Sequence, residues 1–135
     1  MALTDEQRAF LDAKRFAVLG TMNPSGSPHL TVMWYLLDGD EILFNTAAGR
    51  QKEGNLERDP RVSLLVYDDG GYKYMRIDGR VRIITDHETT QNDIRRLASR
   101  YYGDQARVER AVRENFGKQK RITYRLPTTR VYDYR

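Results

Sequence analysis

Residues 43–52, Leu43-Phe44-Asn45-Thr46-Ala47-Ala48-Gly49-Arg50-Gln51-Lys52, hold two cations, a threonine hydroxyl and a run of small residues. An apolar strand ends there, a small-residue loop follows, and a helix begins with Arg50 and Lys52 in its first turn. A helix start is already the positive end of its dipole, so an acidic pair would be the stabilising choice and two cations work against it. Free amides, the Thr46 hydroxyl and two cations converging on one point suit a bound phosphate. The alternative is a solvated helix start whose cations meet only water.

Other candidates lie around this stretch. From His29 to Leu37 the alternation places Leu30, Val32, Trp34 and Leu36 on one face and His29, Thr31, Met33 and Tyr35 on the other. Both faces are largely apolar or aromatic, which predicts that both are covered, by a core on one side and by a ligand or a partner subunit on the other. Trp34 belongs by pattern with the core face, whereas Thr31 and Met33 are better placed to meet a ligand by side chain. Tyr67, Tyr72, Tyr74, Tyr101 and Tyr102 suit half-buried positions with one wet end, at edge strands or at cofactor rims. There is no cysteine, and His29 and His87 are the only histidines, so neither a thiolate nor a histidine metal site is expected. No nucleophile triad stands out. Chemistry in such a chain is expected to come from a bound cofactor that the protein orients and shields.

The elements that must position these residues can be read from periodicity. Thr4 and Gln7 form a capping-box pair, and the helix after them carries Phe10, Leu11 and Ala13 inward until about Arg15. Strands are predicted over 16–22 and 29–37, joined through the turn Asn23-Pro24-Ser25-Gly26-Ser27-Pro28, then over 41–45. A short helix over 50–57 ends at Asp59-Pro60, and a strand over 61–67 follows. Residues 72–78 and 80–85 are read as a strand pair around Gly79, a position for a bulge or tight bend. Helical spacing of Ile94, Leu97, Ala98 and Tyr101 leads to a C-cap at Gly103, and Val108, Val112 and Phe116 mark a second helix before Gly117. Strands over 121–126 and 130–134 close the chain. One α+β domain over 1–135, centred on a β-barrel, is the expected architecture.

Gly49-Arg50-Gln51-Lys52, Asn55-Leu56 and Asp59-Pro60-Arg61-Val62-Ser63-Leu64-Leu65 resemble the pyridoxamine-phosphate-oxidase-like split-barrel flavoproteins. The likeness extends to Gly26-Ser27-Pro28, to Met75-Arg76-Ile77-Asp78-Gly79 and to Leu126-Pro127 with Val131-Tyr132. It is closer to the small flavin/deazaflavin oxidoreductases that use coenzyme F420. The resemblance implies a six-stranded split barrel and a two-fold homodimer with cofactors between subunits. It places Thr31, Val32, Met33 and Trp34 beside the cofactor ring and Asn45 and Thr46 near its ribityl and phosphate portion. Lys52 matches the family's phosphate-binding lysine, with Arg50 as helper. Tyr74 stands where the oxidases carry a cofactor-contacting glutamine. The oxidases end in an Arg/His-rich substrate motif that is not found in Val131-Tyr132-Asp133-Tyr134-Arg135, so oxidation of pyridoxamine phosphate is not expected.

A formal charge of +4 over 135 residues favours anionic partners without naming one. The expected activity is hydride transfer with F420 to an electron-poor or conjugated small molecule; FMN is the alternative cofactor, and a non-catalytic flavin-binding protein the alternative role. F420 is preferred because its tail adds negative charge that a basic protein would welcome. Arg95, Arg96, Arg100, Arg107, Arg110, Arg113, Lys118, Lys120 and Arg121 make a basic segment of the kind that neutralises phosphates. Interspersed Asp93, Asp104, Glu109 and Glu114 and the lack of a known motif argue against nucleic acid. No run approaches the roughly 20 apolar residues needed to cross a bilayer, and the acidic start lacks the pattern of a secretion signal. The chain reads as cytoplasmic, without nucleic-acid or membrane partners.

Overall fold

The computed structural model describes residues 3–133. Nine strands among them form two antiparallel sheets. The first has the order β2-β1-β5-β6-β9, built from Pro28–Met33, Ala17–Met22, Arg61–Tyr67, Tyr74–Arg80 and Arg130–Asp133. The second has the order β3-β4-β8-β7, built from Leu36–Asp38, Glu41–Ala47, Arg121–Pro127 and Arg82–Ile84. The α+β class is as expected. The strands form two sheets of five and four rather than one closed ladder of six, and no ladder joins the sheets among the described residues.

The core lies between the sheets. Ala17 and Leu19 of β1, Leu64 and Val66 of β5 and Ile77 of β6 meet Ile42 and Phe44 of β4 and Tyr124 and Leu126 of β8. Phe44 stacks on Tyr124 with centroids 5.1 Å apart. β5 alternates between exposed and inward positions, as a half-buried strand must. β8 is buried almost throughout because both of its faces are covered, by the core and by a long helix. That helix is α3 (His87–Tyr102), which lays Ile94, Leu97 and Tyr101 on Leu36 and Leu43. Its ends are fixed locally. The Asp86 side chain accepts the Thr89 N–H at 3.0 Å, and Gly103 takes the left-handed C-cap conformation at φ 68°.

Three further helices complete the fold: α1 (Asp5–Asp12), α2 (Gln51–Arg58) and α4 (Gln105–Glu114), with one 3₁₀ turn at Phe116–Lys118. The Thr4/Gln7 capping box opens α1, which ends at Asp12 rather than near Arg15. Asn55, fully buried, anchors α2 to the β1–β2 hairpin by donating to Thr21 Oγ1 and Asn23 Oδ1, both at 3.1 Å.

Two strand predictions need correction. The strand expected over 29–37 breaks at Trp34-Tyr35, and the chain crosses there from the first sheet to the second. The Tyr35 N–H donates to the Tyr101 hydroxyl at 3.1 Å instead of to a ladder, while the Tyr35 hydroxyl donates to the Leu11 carbonyl at 2.8 Å. A side chain thus replaces the lost strand pairing. Second, residues 72–78 and 80–85 are not a mutual pair: β6 pairs with β5 and β9, whereas β7 pairs with β8. The bend falls at Val81, whose N–H donates to the Pro60 carbonyl at 3.0 Å. Gly79 stays inside β6, where an added Cβ would come within 3.0 Å of the buried Leu126 side chain. Of the strand expected over 130–134, Tyr134 lies outside the described residues.

β2 ends the first sheet. Its outward Leu30 and Val32 are 65% and 63% exposed, so only one of its two faces is covered within the chain.

Candidate functional site

A cleft of about 360 Å³ opens where the end of β2, the start of α2, β4, β8 and α3 meet. That is within the size range of small-ligand sites. One wall is apolar and aromatic: Phe16, Val32, Met33, Trp34, Tyr102 and Phe116, backed by Ile94 and Leu97 of α3. The Trp34 ring stacks on Tyr101 at 5.0 Å with an interplanar angle of 6°, and Tyr102 and Phe116 meet it edge-on. Trp34 is therefore both packed and cleft-lining, where strand alternation had given it to the core alone.

The other end is cationic. Arg50, Lys52 and Arg121 line it together with Asn45. Arg50 is the N-cap of α2 with no capping hydrogen bond from its side chain. Lys52 and Arg121 are buried at 8% and 5% exposure. No carboxylate stands within ion-pair distance of any of the three among the described residues. The one acid in the first turn of α2, Glu53, has its carboxylate engaged by the Gly49 N–H at 2.8 Å. Burial, then Arg50, then Arg121 push the Lys52 ammonium below its ordinary value. Burial and Arg50 push Arg121 down to about 10, so it remains protonated at neutral pH.

Buried charges are ordinarily paired, since taking an ion out of water costs several kcal/mol without a counter-charge. Three cations that repel one another and lack an acid make a site shaped for an anion. The Arg121 fork is already aimed. Its Nε donates to Asn45 Oδ1 at 2.8 Å and its Nη1 to Gln119 Oε1 at 2.6 Å, while Nη2 has no hydrogen-bond partner among the described residues.

Of the residues singled out from sequence, Val32, Met33, Trp34, Asn45, Arg50 and Lys52 come together in this cleft. Three do not line it. Thr46 is buried, on the opposite face of β4 from Asn45, with its hydroxyl unpartnered. Thr31 belongs to β2 but is absent from the cleft wall; its Oγ1 and the His29 Nδ1 are shielded from solvent without a hydrogen-bond partner. Tyr74 lies on β6 beside a separate hollow with Phe10 and Arg15. Arg121 was missed as a site residue and grouped with the basic segment 95–121. That segment does not form one stripe. Arg95 pairs with Glu109, Arg96 with Asp38, Arg100 donates to carbonyls of Leu11, Asp12 and Ala13, and Arg107 covers the Tyr102 ring at 4.0 Å. No helix among the described residues is long and apolar enough to cross a membrane.

Comparison with known proteins bears on the fold and the family. A 27% identical relative over 114 residues, 83% of this chain and 82% of the other, is the F420H(2)-dependent biliverdin reductase of Mycobacterium tuberculosis (strain CDC 1551 / Oshkosh). A crystal structure of a conserved hypothetical protein from Mycobacterium tuberculosis superposes with a TM-score of 0.80 at 30% identity, covering 99% of this chain and 86% of that one. An F420 reductase superposes with a TM-score of 0.75 at 24% identity, over 96% of this chain and 98% of that one, which bears on the fold alone. The pyridoxamine 5'-phosphate oxidase family profile matches residues 3–133, nearly the whole chain. The chain belongs to the pyridoxamine 5'-phosphate oxidase family.

Proposed function

We propose that the protein is an oxidoreductase that binds coenzyme F420 in this cleft and reduces an electron-poor or conjugated small molecule. The observation that carries the proposal is the unneutralised triad of Arg50, Lys52 and Arg121 at one end of a cleft whose other wall is aromatic. A phosphate would meet the cations, and a planar ring would lie along Val32, Met33 and Trp34. When bound, the reduced deazaflavin supplies the hydride. The protein's own part is to hold the phosphate, orient the ring and keep water from the reacting face. FMN shares the phosphate and the tricyclic ring and is the alternative. F420 is favoured by the 27% identical relative that carries that cofactor in its name.

The proposal includes a two-fold homodimer. Leu30 and Val32 are exposed on the outer face of an edge strand, and Phe16, 50% exposed, stands beside the same cleft. Apolar surface of this kind marks an interaction site. Tyr74 lies away from its own subunit's cleft, so its role at a cofactor depends on a second subunit bringing it there. Two measurements test the whole reading. Absorbance and mass of the small molecule retained after gentle purification should identify F420. Sedimentation at micromolar concentration should show a dimer. A retained FMN would favour the alternative cofactor, and a 15.8 kDa species alone would remove the dimer.

A further inference from the structure

Behind the cationic end of the cleft runs a buried chain of hydrogen bonds with a fixed direction. Asn45 holds its carbonyl oxygen toward Arg121 Nε at 2.8 Å. Its amide nitrogen is occupied on the other side, donating to the Thr90 carbonyl at 3.1 Å and to Thr123 Oγ1 at 3.0 Å. Thr123, fully buried, then donates its only hydroxyl proton to the Asp93 carboxylate at 2.9 Å. Asp93 is 4% exposed on α3, and its second oxygen stands 3.6 Å from the Arg96 guanidinium at the helix surface.

Each donor and acceptor in this chain is determined by the one before it. Thr123 donates to Asp93 and so turns a lone pair toward Asn45. Asn45 then fills that lone pair with its N–H and is left with its oxygen facing Arg121. The opposite amide orientation would set two acceptors against each other at Thr90 and a donor against a guanidinium. Hydrogen bonds linked in one sense polarise one another in a dry interior. The carboxylate of Asp93 thus reaches Arg121 through two side chains without neutralising it: the cation keeps its full charge for a ligand while its direction is fixed. A carboxylate in direct contact with Arg121 would fix it equally well but would compete with the incoming anion.

We infer that Asp93 is a positioning residue for the anion site, acting through Thr123 and Asn45 to hold Arg121 with its free Nη2 edge turned to the cleft. This rests on the reading that Arg50, Lys52 and Arg121 receive a phosphate group.

The test combines a double-mutant cycle with a ligand-free measurement. Dissociation constants for FMN, oxidised F420 and inorganic phosphate are measured at constant ionic strength for wild type, Asp93→Asn, Arg121→Ala and the double variant. Asp93→Asn should weaken binding about three- to tenfold. In the Arg121→Ala background the same substitution should change affinity less than about twofold, because the group it positions is gone. Thr123→Ser, which keeps the hydroxyl, should bind like wild type, whereas Thr123→Val should resemble Asp93→Asn. Without ligand, the Nε–H proton of Arg121 should exchange with solvent about three- to tenfold faster in Asp93→Asn than in wild type. An equal loss in both backgrounds would mean that Asp93 acts only through general stability and would overturn the inference. Unchanged Arg121 exchange in Asp93→Asn would overturn the relay while leaving the anion site standing. Unchanged affinity in Arg121→Ala for all three probes would take Arg121 out of the anion site, and the inference with it.

Discussion

Lys52→Met separates binding from folding at the cationic end of the cleft. The substitution keeps most of the aliphatic stem and removes an ammonium that is buried without a counter-charge. A charge-assisted hydrogen bond is worth about 1.5–3 kcal/mol, so the dissociation constant for a phosphate-bearing cofactor should rise about ten- to hundredfold. The effect on ligand-induced stabilisation follows from mass action. At a ligand concentration of about one hundred times the wild-type dissociation constant, binding stabilises wild type by about 2.7 kcal/mol. A tenfold weaker variant gains about 1.4 kcal/mol at that concentration, and a hundredfold weaker one about 0.4 kcal/mol. For a domain of this length 1 kcal/mol corresponds to about 3–5 °C in Tm. Wild type should therefore shift by about 8–13 °C and the variant by about 1–7 °C on the same scale. Without ligand the variant should melt at or above wild type. Lys52 has its folded pKa below the ordinary 10.5, so between the folded value and 10.5 the unfolded chain holds the extra proton and wild-type stability rises with pH. Any advantage of the variant is accordingly full below the folded value and fades toward pH 10.5. Fluorescence titration and thermal melts over pH check both halves. An unchanged dissociation constant, or a ligand-free variant that melts well below wild type, would refute the assignment of Lys52 to the ligand rather than to the fold.

Other outcomes follow from single contacts. Tyr101→Phe should destabilise by about 1–3 kcal/mol in urea unfolding, because the Tyr35 N–H loses its acceptor at the point where the chain changes sheets. Asp59 accepts a two-pronged contact from Arg61, which with the Arg61 N–H draws its pKa from 3.8 down to about 2. Its contribution to stability is present above pH 3.8 and lost as pH falls toward 2, so wild type and Asp59→Asn should converge across that window in acid titration followed by circular dichroism. Val32→Asp on the exposed face of β2 should shift sedimentation toward the monomer while leaving the protomer's far-ultraviolet spectrum unchanged.

Much of the architecture is legible locally. The Thr4/Gln7 box, the Gly103 cap and the alternation of 61–67 each depend on neighbours within a few residues, and each element forms where those signals stand. What sequence could not reveal is where the chain changes sheets. Residues 29–37 alternate without interruption, and nothing local marks Trp34-Tyr35 as a crossing. The marker is the Tyr101 hydroxyl on a helix far along the chain, which takes over the Tyr35 N–H. The same holds at Val81, whose backbone is satisfied by Pro60 rather than by a strand partner. Because the side-chain period in a strand is two, an unnoticed crossing also reassigns faces. Leu30 and Val32 were grouped with Leu36 as one covered face, yet only Leu36 is buried.

The site divides in the same way. Arg50 and Lys52 were found because two cations at a helix start oppose the dipole, an anomaly visible within one turn. Arg121 carries no such anomaly: among Lys118, Lys120 and the arginines of α3 and α4 it looks like one more solvated cation. Its place is set by the pairing of β4 with β8, which puts Asn45 opposite Thr123 and Ala47 opposite Arg121. Once that register exists, Asn45 can hold the guanidinium from the side while Thr123 and Asp93 fix the amide from behind. The local sequence therefore supplies the charges, and the sheet register supplies their direction. A cation found by composition alone reveals affinity for anions in general. Three cations without an acid, two of them buried and one of those locked in orientation by a carboxylate two side chains away, would define where the proposed anionic group sits.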